Sequence, residues 1–405
     1  MASNLKLLAA ALATAGLLAA CGGGGGADTT PKAKVSSVKV VGDSLSDSGT
    51  FGFKFTVQGA APTGANSFQV WTERVADQFG QTLCAHYSTT AAPKADCNNY
   101  AVGGAVINPA SVTVTSPELA AFQPMSILQQ IKDASAAGLS ANDLVLVDGG
   151  ANDTAALILS AAAQSQLPPA TTGPFFNLIG TLVDQATQGA LLQKAGGDSK
   201  TFIALAGSAY MTALAQKLAT AVQTGMLDKG VTHVAVLNLP KLTLTPRIKA
   251  MLAGIQQQTA TGAAAQGADA ATAAAAGQKA AAAQGALIDA WVQAFNTQLN
   301  TNLGADARVA IIDFYTGLEG QVAAPEQYGY TNVTTPACPS TGVDATTHLP
   351  SYTLQTCTTA QLLAKNPAAN WWDGYSFADD QHPTPYGHMQ MSQLAARALA
   401  KAGWL

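Results

Sequence analysis

Four stretches of the chain are apolar almost without interruption, and each runs into turn-forming residues: 35–42 (VSSVKVVG), 143–149 (DLVLVDG), 232–239 (THVAVLNL) and 308–314 (RVAIIDF). Such β-branched runs predict strands buried on both faces, as a parallel sheet requires. Between them the apolar residues fall at helical spacing. Residues 201–227 carry one such stripe, and 384–402 form a final helix entered through a pair of prolines. Alternating strands and helices predict an α/β fold, a three-layer sandwich. Ligands of such sheets bind beyond the carboxyl ends of the strands.

Residues 251–286 break this pattern. They are nearly all Ala, Gln, Gly and Thr, with few large side chains. Ala favours helix strongly, so the stretch reads as a helical excursion, a hairpin with a thin Ala-packed seam, inserted at about 248–290. The competing reading is a low-complexity linker, given the interspersed Gly. The region 316–375 is rich in loop residues and precedes the last His-bearing segment, where it is placed to cover a site. It carries Tyr328, Tyr330, Trp371 and Trp372.

Composition narrows the class. Charged residues make up 11% of the 405 and apolar ones 48%, with a formal net charge of -4 and no basic block. That is enough apolar material for a large core, with Ser, Thr, Asn, Gln and Gly left to keep the surface wet. Nucleic acid is excluded as an expected partner, because phosphate binding needs clustered Lys and Arg.

The first residues read as a targeting segment. Lys6 is followed by an apolar run, Leu7 to Ala20, of signal-peptide length and too short to span a bilayer. It ends in Leu18-Ala19-Ala20-Cys21, which resembles the bacterial lipobox, whose Cys is acylated. That resemblance implies a signal peptide at 1–20, lipidation of Cys21, a glycine-rich tether over 21–34 and a mature domain over 35–405. With Gly22 following the Cys, it also favours an outer-membrane lipoprotein. An ordinary cleaved signal leading to a soluble exported protein is the alternative. The remaining cysteines, Cys84, Cys97, Cys338 and Cys357, allow three pairings. The local ones, Cys84–Cys97 and Cys338–Cys357, are the simplest, and disulfides suit export.

Chemistry-bearing residues gather in four blocks. Val41-Gly42-Asp43-Ser44-Leu45 follows the first strand and exposes a hydroxyl there. A helix after it would add a favourable dipole. Asn99-Tyr100-Ala101-Val102-Gly103-Gly104 pairs two glycines that let backbone N–H groups approach a ligand. Gly149-Gly150-Ala151-Asn152-Asp153 ends the second strand with an amide able to donate to an oxyanion. Asp379-Asp380-Gln381-His382-Pro383 sets a carboxylate three residues before an imidazole, a spacing that lets Asp379 curl back to Nδ1. Asp380 ranks second as that partner. Each block alone also reads as ordinary turn or cap chemistry. His86, His233, His348 and His388 share no metal-ligand spacing and are expected to be structural.

Taken in this order, the four blocks closely resemble the SGNH/GDSL hydrolase family, and the resemblance runs from about residue 38 to the end. It implies a flavodoxin-like α/β/α sandwich with about five parallel strands. It implies a Ser44–His382–Asp379 triad, and an oxyanion hole built from the N–H groups of Ser44 and Gly104 and the side chain of Asn152. Hydrolysis of acyl esters of small molecules or lipids would then proceed through an acyl-enzyme, with no metal or organic cofactor. The same resemblance leaves open a phospholipase, lysophospholipase, acyltransferase or polysaccharide deacetylase, and, outside catalysis, a surface lipoprotein that binds ligands on the same fold. Phe51, Phe53, Phe55, Phe68 and Trp71 are candidates for an acyl site, with ordinary core as the better-supported reading.

Overall fold

The computed structural model describes residues 31–405 apart from 65, 112–124, 166, 168–171, 346 and 369. The segment 1–20 expected to act as a signal, and Cys21, lie outside the described residues. The four apolar runs form four strands: β1 (Ser37–Val41), β2 (Asp143–Val147), β3 (His233–Leu237) and β4 (Val309–Ile312). They pair in parallel in the order β1-β2-β3-β4, with Val41 opposite Val147, Val147 opposite Val236 and Leu237 opposite Ile312.

Among the described residues a fifth ladder strand is not formed, but its place is taken. Residues 98–102 run beside the free edge of β1: Val40 N–H donates to the Asn98 carbonyl, Tyr100 N–H to that of Val40, and Val102 N–H to that of Gly42. The Asn99 carboxamide stops this segment from extending as a regular strand. Its Oδ1 accepts the Ala101 N–H two residues on, and its Nδ2 donates to the Ser46 carbonyl. Counted in chain order with this segment second, the arrangement is the flavodoxin-like 2-1-3-4-5.

Helices are α1 (Trp71–Gln78), α2 (Ile127–Ala136), α3 (Ala151–Gln164), α4 (Pro174–Ile179), α5 (Gln185–Lys194), α6 (Ser199–Gly225), α7 (Pro246–Ala265), α8 (Ala270–Leu303), α9 (Phe314–Ala323), α10 (Thr359–Lys365) and α11 (Pro385–Lys401). Alternation along the strands sends successive side chains to opposite faces. Val145 and Val147 join a core with Leu157 of α3, Tyr210 of α6 and Phe295 of α8. Leu144 and Leu146 join another with Trp71 of α1, Phe314 of α9 and Leu399 of α11. The sheet therefore lies between two helical layers. A smaller third core joins Val57, Leu354, Leu362 and Trp372 around the Cys338–Cys357 disulfide. The second disulfide joins Cys84 to Cys97.

The Ala-rich stretch is a helical hairpin made of α7 and the first half of α8. Thr245 and Asp269 cap the two helices by accepting N–H bonds from Ile248 and Thr272. The seam is thin because it is built from small residues. Ala273 and Gly277 are buried in it, and a Cβ on Gly277 would lie 2.3 Å from the Gln256 carbonyl oxygen. From Ile288 onward α8 changes character. Ile288, Val292, Phe295 and Leu299 are fully buried, each worth roughly 1.5–3 kcal/mol of burial, and they anchor the hairpin's base in the main core.

Two readings that the sequence left open are decided by the structure. No helix follows Ser44: residues 43–46 form a turn, and the next helix is α1 at Trp71. Asp43 holds that turn by accepting the Leu45 N–H on its side chain and the Ser46 N–H on its carbonyl, and Asp47 closes the next one by accepting N–H bonds from Gly49 and Thr50. The aromatic cluster is core. Trp71 is fully buried under α11, while Phe53, Phe55 and Phe68 pack against the third core.

Candidate active site

Ser44 sits just beyond β1 because Gly42 lets the chain pass close to its neighbours. A Cβ on Gly42 would fall 1.5 Å from Asp148 Oδ1, and the Gly42 N–H donates to Gln130 Oε1 at 2.8 Å. Asp43 then accepts the Leu45 N–H and closes the turn. The Ser44 hydroxyl lies 2.8 Å from His382 Nε2.

His382 is positioned from several sides. Asp379 Oδ2 lies 2.7 Å from its Nδ1, while Asp379 Oδ1 accepts the backbone N–H groups of Gln381 and His382. The His382 carbonyl accepts from Ala378 N–H, and Thr56 donates to the next carbonyl, that of Pro383. The Phe55 ring packs against the imidazole with centroids 5.2 Å apart. Burial pulls the His382 pKa down, but the charge and hydrogen bond of Asp379 outweigh it and hold the imidazole above its ordinary value. For Asp379 the balance is complementary: burial pushes it up, and His382 with the two backbone donors brings it below the usual range. Asp380 points away. It accepts from Arg247 Nη1 at 3.2 Å, and burial together with the adjacent Asp379 raises it to about 6.

The two remaining blocks converge on the same place. Asn152 stands in the first turn of α3, which Gly150 opens with a φ of 103°. One of its amide hydrogens points at the Ala105 carbonyl, 3.0 Å away, with Asp43 Oδ2 at 3.5 Å. Gly103 and Gly104 differ sharply. The Gly103 N–H is taken by Asp47 Oδ2 at 2.8 Å. Gly104 has a φ of 80°, suited to glycine. Among the described residues neither its N–H nor that of Ser44 has an acceptor.

Two carboxylates that sequence reasoning left without a role hold these loops together, and a third is buried beneath them. Asp47 ties the Ser44 loop to Gly103, and Asp153 ties α3 to the N–H groups of Ile107 and Asn108. Asp148 lies wholly buried behind Gly42, and burial and the neighbouring Asp43 carboxyl hold it well above the usual carboxylate range. Their common signal was an Asp in or beside the first and third blocks. His388, expected to be structural, is fully buried, and its Nδ1 accepts the Trp71 N–H. Burial and the nearby cation Arg74 lower it to about 3, so it stays neutral.

Ser44, His382 and Asn152 line one cleft, partly open to solvent. Its other walls come from α3, α7 and α9 and from Tyr330 and Leu349 in the region 316–375. The aromatic residues Phe51, Phe53, Phe55 and Phe68 do not line it. Among the described residues no helix is long and apolar enough to cross a membrane.

Comparison with curated proteins finds no match to the chain. Comparison with protein families matches residues 38–395 to GDSL-like Lipase/Acylhydrolase, a span that contains all four blocks and all of the sheet but its first residue, Ser37. The family acts on esters, and that coarse activity follows from the match. The chain belongs to the GDSL-like lipase/acylhydrolase family.

Proposed function

We propose that the protein cleaves carboxylic acyl esters with Ser44 as nucleophile, His382 as general base and Asp379 as the group that orients it. The observation that carries this reading is the continuous Ser44 Oγ–His382 Nε2 and His382 Nδ1–Asp379 Oδ2 pair of contacts, 2.8 and 2.7 Å, opening onto the cleft. Asp379 accepts the Nδ1 proton, which leaves the Nε2 lone pair directed at the hydroxyl. As Ser44 Oγ bonds to the carbonyl carbon, its proton passes to Nε2. The imidazolium that forms is stabilised by Asp379. It then gives the proton to the leaving alcohol as the ester C–O bond breaks, and water repeats the sequence on the acyl-enzyme.

The negative charge that develops on the carbonyl oxygen needs donors already aimed at it. The free N–H groups of Ser44 and Gly104 are two, and Asn152 Nδ2, whose second hydrogen is held only by the long 3.5 Å contact to Asp43 Oδ2, is the third. The engagement of Gly103 with Asp47 favours Gly104 for this role. Asn152→Ala is expected to lower kcat roughly 10²–10³-fold with little change in KM, the signature of a donor used in the transition state. Steady-state kinetics on a chromogenic ester read this, and a loss confined to KM would assign Asn152 to substrate binding instead.

Export and attachment to the outer membrane through acylated Cys21 belong to the same proposal. The support is the apolar run 7–20 and the Leu18–Cys21 sequence that ends it. Cys21→Ala is expected to move the protein from the membrane fraction to the soluble one, and retention in the membrane would remove the anchor.

A further inference from the structure

The Ala-rich hairpin takes no part in the chemistry above, yet it is fastened to the loop that carries His382. The Arg247 N–H donates to the Asp380 carbonyl at 2.8 Å, and its guanidinium reaches Asp380 Oδ2 at 3.2 Å. Arg247 is in the first turn of α7, so these two bonds fix where that helix stands relative to the nucleophile. The same helix then places Ile248 and Met251 in the lining of the cleft, together with Ile158 and Leu159 of α3.

We propose that the space between α3 and α7 holds an unbranched aliphatic acyl chain of about eight carbons, and that the base of the hairpin, through Ile248 and Met251, is one of its walls. This rests on the ester-hydrolase reading given above and names its substrate class. The groove begins at the proposed oxyanion donor, since Asn152 opens α3, and it continues along that helix through Ala155 and Ile158. From Asn152 to Leu159 the helix rises about 10 Å, roughly the extended length of an eight-carbon chain. Leu159 is 39% exposed and marks the outer end. The alcohol must leave past His382. On that side the lining mixes Gln321, Tyr330 and Ser376 with Phe314, Leu318 and Met391, a wall less uniformly apolar than that of Ala155, Ile158, Ile248 and Met251.

Each methylene buried in an apolar groove is worth roughly fourfold in affinity. The full-length chain is therefore expected to turn over p-nitrophenyl octanoate with a kcat/KM at least about 10²-fold above that for the acetate. Met251→Trp, which fills the groove, should cut that ratio at least about tenfold. Leu159→Glu, at the exposed end where the fold tolerates change, should cut it as well. Gln257→Trp, on the exposed face of the same helix, should leave the ratio alone. A series of acetates with alcohols of increasing length should show no comparable dependence. A wild-type ratio near one, a ratio indifferent to both Met251→Trp and Leu159→Glu, or a dependence on the alcohol instead would overturn the acyl groove. In those outcomes turnover still vanishes in Ser44→Ala, and the hydrolase reading stands. Failure to cleave any ester would remove both.

Discussion

Ser44→Ala is expected to lower kcat/KM for a chromogenic acyl ester by roughly 10⁵–10⁶-fold, the range seen when a triad nucleophile is removed. The size of the effect follows from what the substitution leaves behind. His382, Asp379 and the proposed N–H donors stay in place, but no oxygen remains 2.8 Å from the imidazole to form the covalent bond. The residual rate is that of water attacking a carbonyl polarised by the oxyanion donors. The fold should survive, because the substitution removes one hydroxyl and one hydrogen bond at the mouth of a cleft. A thermal melt shifted by no more than about 3 °C would show this. Undiminished turnover in a folded variant would refute the assignment of the nucleophile.

Asp379→Asn is expected to cost about 10⁴ in kcat, against less than about tenfold for Asp380→Asn. The asymmetry comes from hydrogen-bond geometry. Asp379 Oδ1 accepts two backbone N–H groups, so an Asn there keeps its carbonyl oxygen on that side and turns its amide toward His382 Nδ1. A donor facing Nδ1 forces the ring proton onto Nε2, and the imidazole can then no longer accept from Ser44. Asp380 instead faces Arg247 and meets His382 only through its charge.

The pH dependence follows from the same pair. In the proposed mechanism, wild-type activity needs neutral His382. Because Asp379 holds the imidazole pKa above its ordinary value of 6.5, kcat/KM should rise with pH along a limb centred above 6.5. Asp379→Asn removes the charge that raises it while burial continues to lower it, so the limb moves to lower pH as the plateau drops. A limb that stays fixed in Asp379→Asn, or a larger loss in Asp380→Asn, would show that the other carboxylate orients the base.

The parts of the fold that were legible in advance are those where one physical requirement dominates. Strands buried on both faces must be apolar throughout, and all four such runs lie in the sheet with their ends shifted by one or two residues. The stripe at 201–227 and the final helix are equally clear, since a helix of 27 residues (Ser199–Gly225) must repeat its apolar face many times. Residues 98–102 were not legible as a sheet edge because two consecutive Asn and short length conceal the pattern, and the pairing rests on three backbone bonds. The course of the chain after Ser44 is set by side chains, Asp43 and then Asp47, through contacts that local propensity does not register.

The site shows the same division. Residue types that chemistry demands, such as Ser44, His382, Asp379 and Asn152, stand in recognisable blocks. Residues that act through shape or support do not. Nothing in the composition of residues 251–286 points to a cleft wall, because Ile248 and Met251 acquire that position only once Arg247 is clasped to Asp380. The phenylalanines of 51–68 read as candidates for an acyl surface and proved to be packing, with Phe55 set against the imidazole.

The central claim is that one hydroxyl of this chain is activated for attack. The most direct measurement exposes the folded protein to a fluorophosphonate probe, digests it, and maps the adduct by mass spectrometry. The account predicts a single stoichiometric modification on the peptide bearing Ser44, lost in His382→Ala. An unmodified Ser44, or labelling that persists undiminished without the imidazole, would contradict it.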